Sequence, residues 1–348
     1  MKISIRNLLL AVIAAPSLLA QSPTLDPAVQ ASLTEGSKFE QRHQLTSALD
    51  SDRKALKLSK GSCDECYQAI VNLQLTMELP KDAAASAATW AQHTSSPIAR
   101  SHAELLQAQA LMRLNTVKPN PALLHQADDV LKRAAVDNPA DSTVHMLHGR
   151  VLAALNLDDQ AKSEFVACAV TPGASPAECM RAGHFASDVN LARGDAAPSF
   201  SIAGPNGSPV TLDSLAGKVV LIDFWATWCP PCNRDLGYIQ SIAEEFHGDK
   251  FVLLGISSDS NESTWQRYIE KNSMLGVQVR DSFDGLRSLF HVAGIPTYIV
   301  IDANGIIRLR VTGPEGDIRG KVRSLLAAGA ATTATAASIQ TPKAGSQP

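Results

Sequence analysis

The sequence predicts a chain that is all-α in its first part and α/β in its second, and three observations carry that expectation. From about residue 37 to 193, apolar residues recur at three- and four-residue spacing, as in "AELLQAQALMRL" and "DSTVHMLHGRVLAALN". That is the period of helices that bury one face, and strand signal is almost absent. From about residue 194 to 328, short β-rich runs alternate with helical ones, as in a sheet covered by helices. Between the two, "LARGDAAPSF" at 191–200 changes the texture of the chain. The expected division is a leader at 1–20, a helical-hairpin region at 21–193, an α/β domain at 194–328 and a tail at 329–348.

The leader reads "MKISIRNLLLAVIAAPSLLAQSP", with Lys2 and Arg6 ahead of a short apolar stretch and small residues near Ala20. That is the layout of a secretory signal, too short for a comfortable membrane span. The expectation is an exported, periplasmic or extracytoplasmic chain, held at a membrane only if the leader stays uncleaved. Within the helical region, Ala127, Leu131 and Ala134 are answered 34 residues later by Ala161, Phe165 and Cys168, and Pro139 stands where the first of these helices should stop. This period of small and large positions resembles the tetratricopeptide repeat, although the aromatic positions of the full repeat are mostly missing. In the second part, "KVVLIDFW", "FVLLGISS" and "TYIVID" read as buried strands. Helices are expected after Pro230 and around "NESTWQRYIEKN" and "DGLRSLFHVA", and "IDANGIIRLRV" carries an Asn-Gly hairpin turn. The end, "AAGAATTATAASIQTPKAGSQP", is low in complexity and expected to be disordered.

With 31 basic against 34 acidic residues and no basic block, the chain lacks the concentrated positive field of a nucleic-acid surface. Six cysteines fall into three local pairs, Cys63/Cys66, Cys168/Cys179 and Cys229/Cys232, an even number that suits an oxidising compartment. The pair in "FWATWCPPCNRDL" follows a predicted strand and opens a predicted helix. At a helix start the unpaired N–H groups and the positive end of the dipole stabilise an anion. Cys229 is therefore placed to act as the attacking thiolate. Cys232, one turn further on the same face, is placed to resolve the mixed disulfide. Pro230 and Pro231 suit a first turn, where their missing N–H groups are not needed. They also withhold a donor from the Cys229 sulfur, which points to a reducing rather than a strongly oxidising couple.

"DFWATWCPPC", preceded by "APSFSIAGPNGSPVTLDSLAGKVVLI" and followed by "AGIPTYIVID", resembles the thioredoxin superfamily, most closely its exported TlpA/ResA-like branch of thiol-disulfide reductases. The resemblance spans roughly residues 196 to 315 and implies a thioredoxin-like fold for the α/β domain. It implies that Pro296 is the cis-proline beside the cysteines, and that Ile295, Trp228, Pro230 and Pro231 line the substrate surface. It also implies that Asp223 is the buried aspartate that takes the proton of the second cysteine by way of water. Many members of the exported branch have Asn there, so Asp223 leans towards thioredoxin proper. Asp235 stands where that branch often has Glu, and is expected to be an ordinary solvated helix charge. Trp225 and Trp228 are implied to pack around the cysteines; Trp90 and Trp265 are expected in cores. The front of the domain also resembles peroxiredoxins, but the places that family fills with Thr and Pro hold Ala226 and Ile222 here.

The remaining cysteines are candidates for structural disulfides. In "GSCDECYQAI", Ser62 and Glu65 have capping-box spacing, which puts Cys63 and Cys66 in the first turn of a helix. With Asp64 and Glu65 between the sulfurs, a structural or idle pair comes first, then an accessory redox pair, then a metal site. Cys168 falls at a packing position of the repeat, and a quiet Cys168–Cys179 bridge is expected. His145 and His148 lie one turn apart with nothing nearby to complete a metal site, and the "RGD" at 193–195 reads as a linker. The expected function is an exported thiol-disulfide oxidoreductase needing no organic cofactor and no metal, since the electrons sit on the sulfurs. Its partners would be a protein thiol or disulfide substrate, an upstream thiol donor and a protein on the helical repeats. The rival reading is a tetratricopeptide scaffold or redox-sensing adaptor whose cysteine pair is regulatory or structural.

Overall fold

The computed structural model describes residues 25–339 apart from 43, 199, 206, 282–284, 314 and 315. The leader expected at 1–20 lies outside the described residues. The first region is built from helices alone: α1 (Pro27–Gln41), α2 (Leu45–Leu58), α3 (Asp64–Thr76), α4 (Pro80–His93) and α5 (Pro97–Val117). It continues through α6 (Pro121–Asp137), α7 (Ser142–Ala154), α8 (Asp158–Val170), α9 (Pro176–Ser187) and the short α10 (Val189–Ala192). Proline opens five of these helices, at Pro27, Pro80, Pro97, Pro121 and Pro176. In four of the five, the preceding Asp26, Ser96, Asn120 or Ser175 accepts a hydrogen bond from the first turn. Both devices satisfy or remove N–H groups that have no partner inside a helix.

Successive helices pack on their neighbours. The echoed positions Ala127, Leu131 and Ala134 on α6 and Ala161, Phe165 and Cys168 on α8 are all fully buried. Gly149 on α7 leaves room for the Phe165 ring, since a Cβ there would come within 2.5 Å of it. Trp90 lies in the core between α3, α4 and α5. Among the described residues, no helix is long and apolar enough to cross a membrane.

The second region holds a small ribbon, β1 (Ser201–Ala203) with β2 (Pro209–Thr211), and a single 3-10 turn at Asp213–Leu215. The main sheet follows: β3 (Val219–Trp225), α11 (Pro230–Glu245), β4 (Phe251–Ser257), α12 (Glu262–Lys271), β5 (Val277–Arg280) and α13 (Gly285–Leu289). It closes with β6 (Thr297–Ile301), β7 (Ile307–Thr312) and α14 (Ile318–Ile339). The strand order is β5-β4-β3-β6-β7. β3, β4 and β5 run parallel, while β6 and β7 are antiparallel and place a hairpin at one edge. The hairpin turns through Asn304 and Gly305, whose φ of +79° is the left-handed conformation such a turn needs.

Every residue of β3 is buried, as a central strand covered on both faces requires. Val220, Ile222 and Phe224 face a core with Phe200, Leu286 and Phe290, whereas Val219 and Leu221 face Ile239 and Ile242 of α11 and Ile318 and Val322 of α14. This is a helical region followed by a thioredoxin-like α/β domain.

Two expectations change. α14 continues to Ile339, into the stretch expected to be disordered from 329, because "AAGAATTATAAS" is rich in Ala, the strongest helix former, and lacks Gly and Pro near its end. Residues 340–348 lie outside the described residues. The Cys168–Cys179 bridge is not formed; both residues are free thiols. Burial, then the nearby Glu178 and Cys179, push the Cys168 thiol up to about 12. A buried sulfur held protonated is a poor nucleophile for disulfide formation.

Candidate active site

β3 delivers the chain to the C-terminal edge of the sheet at Trp225, and the turn that follows ends at Cys229, the N-cap of α11. Pro230 and Pro231 fill the first turn. The Cys232 N–H points at Cys229 Sγ from 3.3 Å, so the helix start is aimed at the first sulfur. Cys229 and Cys232 are joined in a disulfide with S–S 2.07 Å. Both are buried, while Trp228 beside them is 63% exposed. The Ile295–Pro296 peptide bond is cis, and the Ile295 carbonyl oxygen lies 3.9 Å from Cys229 Sγ. The structure thus brings Cys229, Cys232, Ile295 and Pro296 together, with Pro230 exposed and Pro231 half-buried at the rim.

Asp223 sits on β3 two residues before Trp225, on the α11 side of the sheet. It is 7% exposed, and its Oδ1 has no hydrogen-bond partner among the described residues. Burial first, and then the charge of Asp235, raise its carboxyl to about 7, because a charged group loses its hydration there and a like charge adds to the cost. Asp235 is not the solvated charge expected. It is half-buried and accepts a hydrogen bond from the Tyr298 hydroxyl at 3.2 Å.

The cysteine loop is braced by residues that sequence reasoning missed. Buried Asp259, just past the end of β4, accepts from the Thr227 N–H at 2.9 Å and from the Thr227 and Ser257 hydroxyls at 2.6 Å each. Tyr268 on α12 donates to Asn233 at 2.8 Å, and the Asn233 side chain donates to the Thr227 carbonyl at 3.1 Å. Trp265, expected in a core, packs with Tyr268 and Ile269 against the cluster of Trp225, Ala226, Cys229 and Cys232. The available signal was position: "SSD" follows a buried strand, and sites in such sheets gather at the carboxyl ends of strands.

Cys63 and Cys66 repeat the local arrangement elsewhere. They form a disulfide at the start of α3, with Cys63 as N-cap accepting from the Cys66 N–H at 3.0 Å. Here the sulfurs pack against Val29, Ala55 and Leu56, and Asp64 between them is taken up by Trp90 Nε1 at 2.7 Å and Thr94 Oγ1 at 3.0 Å. His145 and His148 instead share Glu164, with His148 also on Asp128.

Residues 193–310 match the AhpC/TSA family. Thiol-disulfide oxidoreductase ResA of Oceanobacillus iheyensis is 31% identical to this chain over 124 residues, 34% of its length. That match covers 65% of the Oceanobacillus protein, a little under two thirds of its length. The ResA of Geobacillus thermodenitrificans is 26% identical over 146 residues, 41% of this chain and 84% of that one. A crystal structure of a thioredoxin-family thiol:disulfide interchange protein from Chlorobium tepidum is similar at 28% identity, covering 38% of this chain and 97% of that one with a TM-score of 0.36. The family match, at residues 193–310, takes in the cysteine pair at Cys229 and Cys232.

Proposed function

We propose that this chain is an exported thiol-disulfide oxidoreductase that reduces protein disulfides through Cys229 and Cys232. The observation that carries the reading is the meeting of two separate segments: a Cys-Pro-Pro-Cys helix start and the Ile295–Pro296 segment, whose Ile295 carbonyl lies 3.9 Å from the first sulfur. A structural bridge needs no exposed Trp228 and no backbone edge beside it. A substrate strand needs both, one to lie against and one to pair with.

In the reduced chain the Cys229 thiolate attacks one sulfur of the substrate disulfide, and the other leaves as a thiolate. Asp223 takes the proton of the Cys232 thiol by way of water. The Cys232 sulfur then attacks Cys229 Sγ, closing the intramolecular bond and releasing the second substrate thiolate. Two electrons pass to the substrate, and the Cys229–Cys232 disulfide is the product state. An acid poised at about 7 is suited to accept and return a proton near neutrality. A thiol donor upstream restores the dithiol. Residues 1–20 are read as the export leader, and the helices of residues 21–193 as tetratricopeptide-like hairpins that bring a protein partner.

The test is the reduction potential of the couple in the full chain, read by equilibration with dithiothreitol or glutathione buffers and thiol trapping. A reversible couple near the thioredoxin value of roughly −270 mV is expected. A Cys229–Cys232 bond that stays closed far below that range would sink the proposal and leave the helical region as the seat of function.

A further inference from the structure

We propose that Tyr298 is a positioning residue for proton transfer at Cys232: its hydroxyl holds the Asp235 carboxyl on the face of the sheet that carries Asp223. The inference rests on the assignment of Asp223 as the proton acceptor. Asp223 on β3 and Tyr298 on β6 are directly opposite each other in the antiparallel register. Partners so placed carry their side chains on one face. Tyr298 is 1% exposed, and its hydroxyl reaches past the sheet to donate to Asp235 Oδ2 at 3.2 Å. Asp235 lies three residues beyond Cys232, a spacing that puts the two on one face of α11.

Few groups surround Asp223 that could otherwise govern its charge. α11 carries Cys232, Asp235 and Tyr238, and β6 carries Tyr298. β4 offers Gly255 opposite it, over which the neutral Gln278 side chain of β5 lies, and α14 presents Ile318 and Val322. No cation faces it among the described residues that shift it; Asp235 is the one charged neighbour that does so. The hydroxyl of Tyr298 therefore holds the like charge that adds to the effect of burial on the acid. Without it, the short half-buried Asp235 side chain is free to turn to water, where its charge is screened. Asp223 would then ionise more readily and retain its proton less well during the transfer.

Tyr298→Phe removes the hydroxyl and keeps the ring that packs against Ile239 and Val300. The experiment follows the Asp223 carboxyl by 13C NMR in the full chain labelled at Asp, with the signal identified by its loss in Asp223→Asn. In parallel, the pH dependence of the reaction of the reduced chain with dithionitrobenzoate is recorded. Tyr298→Phe should lower the Asp223 midpoint by about half a unit or more and move the inflection of the rate profile the same way. Asp235→Asn should do likewise, Asp235→Glu should retain the midpoint, and the double variant should shift no further than Asp235→Asn alone. An Asp223 midpoint unmoved in Tyr298→Phe, or shifts that simply add in the double variant, would overturn the role of Tyr298. Should Tyr298→Phe lose its fold, the Asp235→Asn and Asp235→Glu pair still decides, since a common shift in both overturns the pinned contact. An Asp223→Asn chain with an unchanged rate profile would instead remove the proton-acceptor assignment, which the midpoint readings leave separate.

Discussion

Asp223 is an acid in a strand, Val-Val-Leu-Ile-Asp-Phe-Trp, whose other members are all apolar and buried, and its cost can be stated with its sign. Its carboxyl stands at about 7 in the folded chain against an ordinary 3.8. The native state therefore holds a proton that the unfolded chain has already released, and stability falls as pH rises from about 4 to about 7. The span corresponds to about 4 kcal/mol. Asp223→Asn should remove this loss. In urea titrations it should be more stable than wild type at pH 8 by up to that amount, and nearly equal to it at pH 4. An acid retained at such a cost fits a working role better than a packing one. At this scale the cysteines, Asp223 and Pro296 could be singled out in the sequence because they stand in two short segments that resemble a known family. Tyr298 and Asp259 were not, because their value lies in what they touch across the sheet.

At the scale of elements, α6, α7 and α8 are tied by a buried ionic cluster that the His145/His148 spacing only hinted at. His148 lies 2.8 Å from Asp128 and 3.1 Å from Glu164, His145 lies 2.7 Å from Glu164, and Lys132 lies 2.7 Å from Asp128. Burial would raise the Glu164 carboxyl, but hydrogen bonds and charge from the two histidines outweigh it and hold it at about 2. Burial likewise works against the His148 charge, and its carboxylate partners overcome it and raise its pKa. The Glu164 contribution is complete above about 4.5 and lost as pH falls towards 2. The histidine contribution is complete below about 6.5 and lost as pH climbs past the raised values. Glu164→Ala should cost about 3 kcal/mol, with the deficit in thermal unfolding largest between pH 4.5 and 6.5 and shrinking on either side. Helices α6 and α8 themselves were readable from their periodicity. β5 (Val277–Arg280) was missed, since a four-residue edge strand carries too few alternations to register.

For the whole molecule, the question is how the helical region is attached to the α/β domain. Ile306 in the β6–β7 turn is 1% exposed and packs in one cluster with Leu152, Phe165, Phe185, Val189 and Ala192 of the helices. Around it the Ile307 N–H donates to the Asp195 carbonyl at 2.7 Å, and Arg181 and Ser175 reach Asp213 at 3.2 and 3.1 Å. Farther along, His291 meets Glu78, beside a cavity of about 540 Å³ between α3, α5, β1 and α13. The segment 193–195 that spells Arg-Gly-Asp is spent on this junction, with Arg193 bonded to the Ala153 carbonyl at 2.9 Å. Ile306→Ala should cost about 2–4 kcal/mol and loosen the coupling, so that calorimetry of the full chain shows the two regions unfolding in separate steps. A single undisturbed transition would mean the regions are held together elsewhere.

The sequence by itself determined the order of the two regions, the sheet strands β3, β4 and β6, the Asn-Gly hairpin, and the strand-to-helix turn from Trp225 to Cys232. All of these follow from local period, capping and turn chemistry within a dozen residues. Only the tertiary structure decided that Ile295 lies against Cys229, that Asp235 is bound by Tyr298, that Cys168 and Cys179 stay thiols, and that Ile306 docks on the helices. Those depend on residues brought together by packing, and the free energy of burying a charge or a thiol is set by neighbours that no local pattern names.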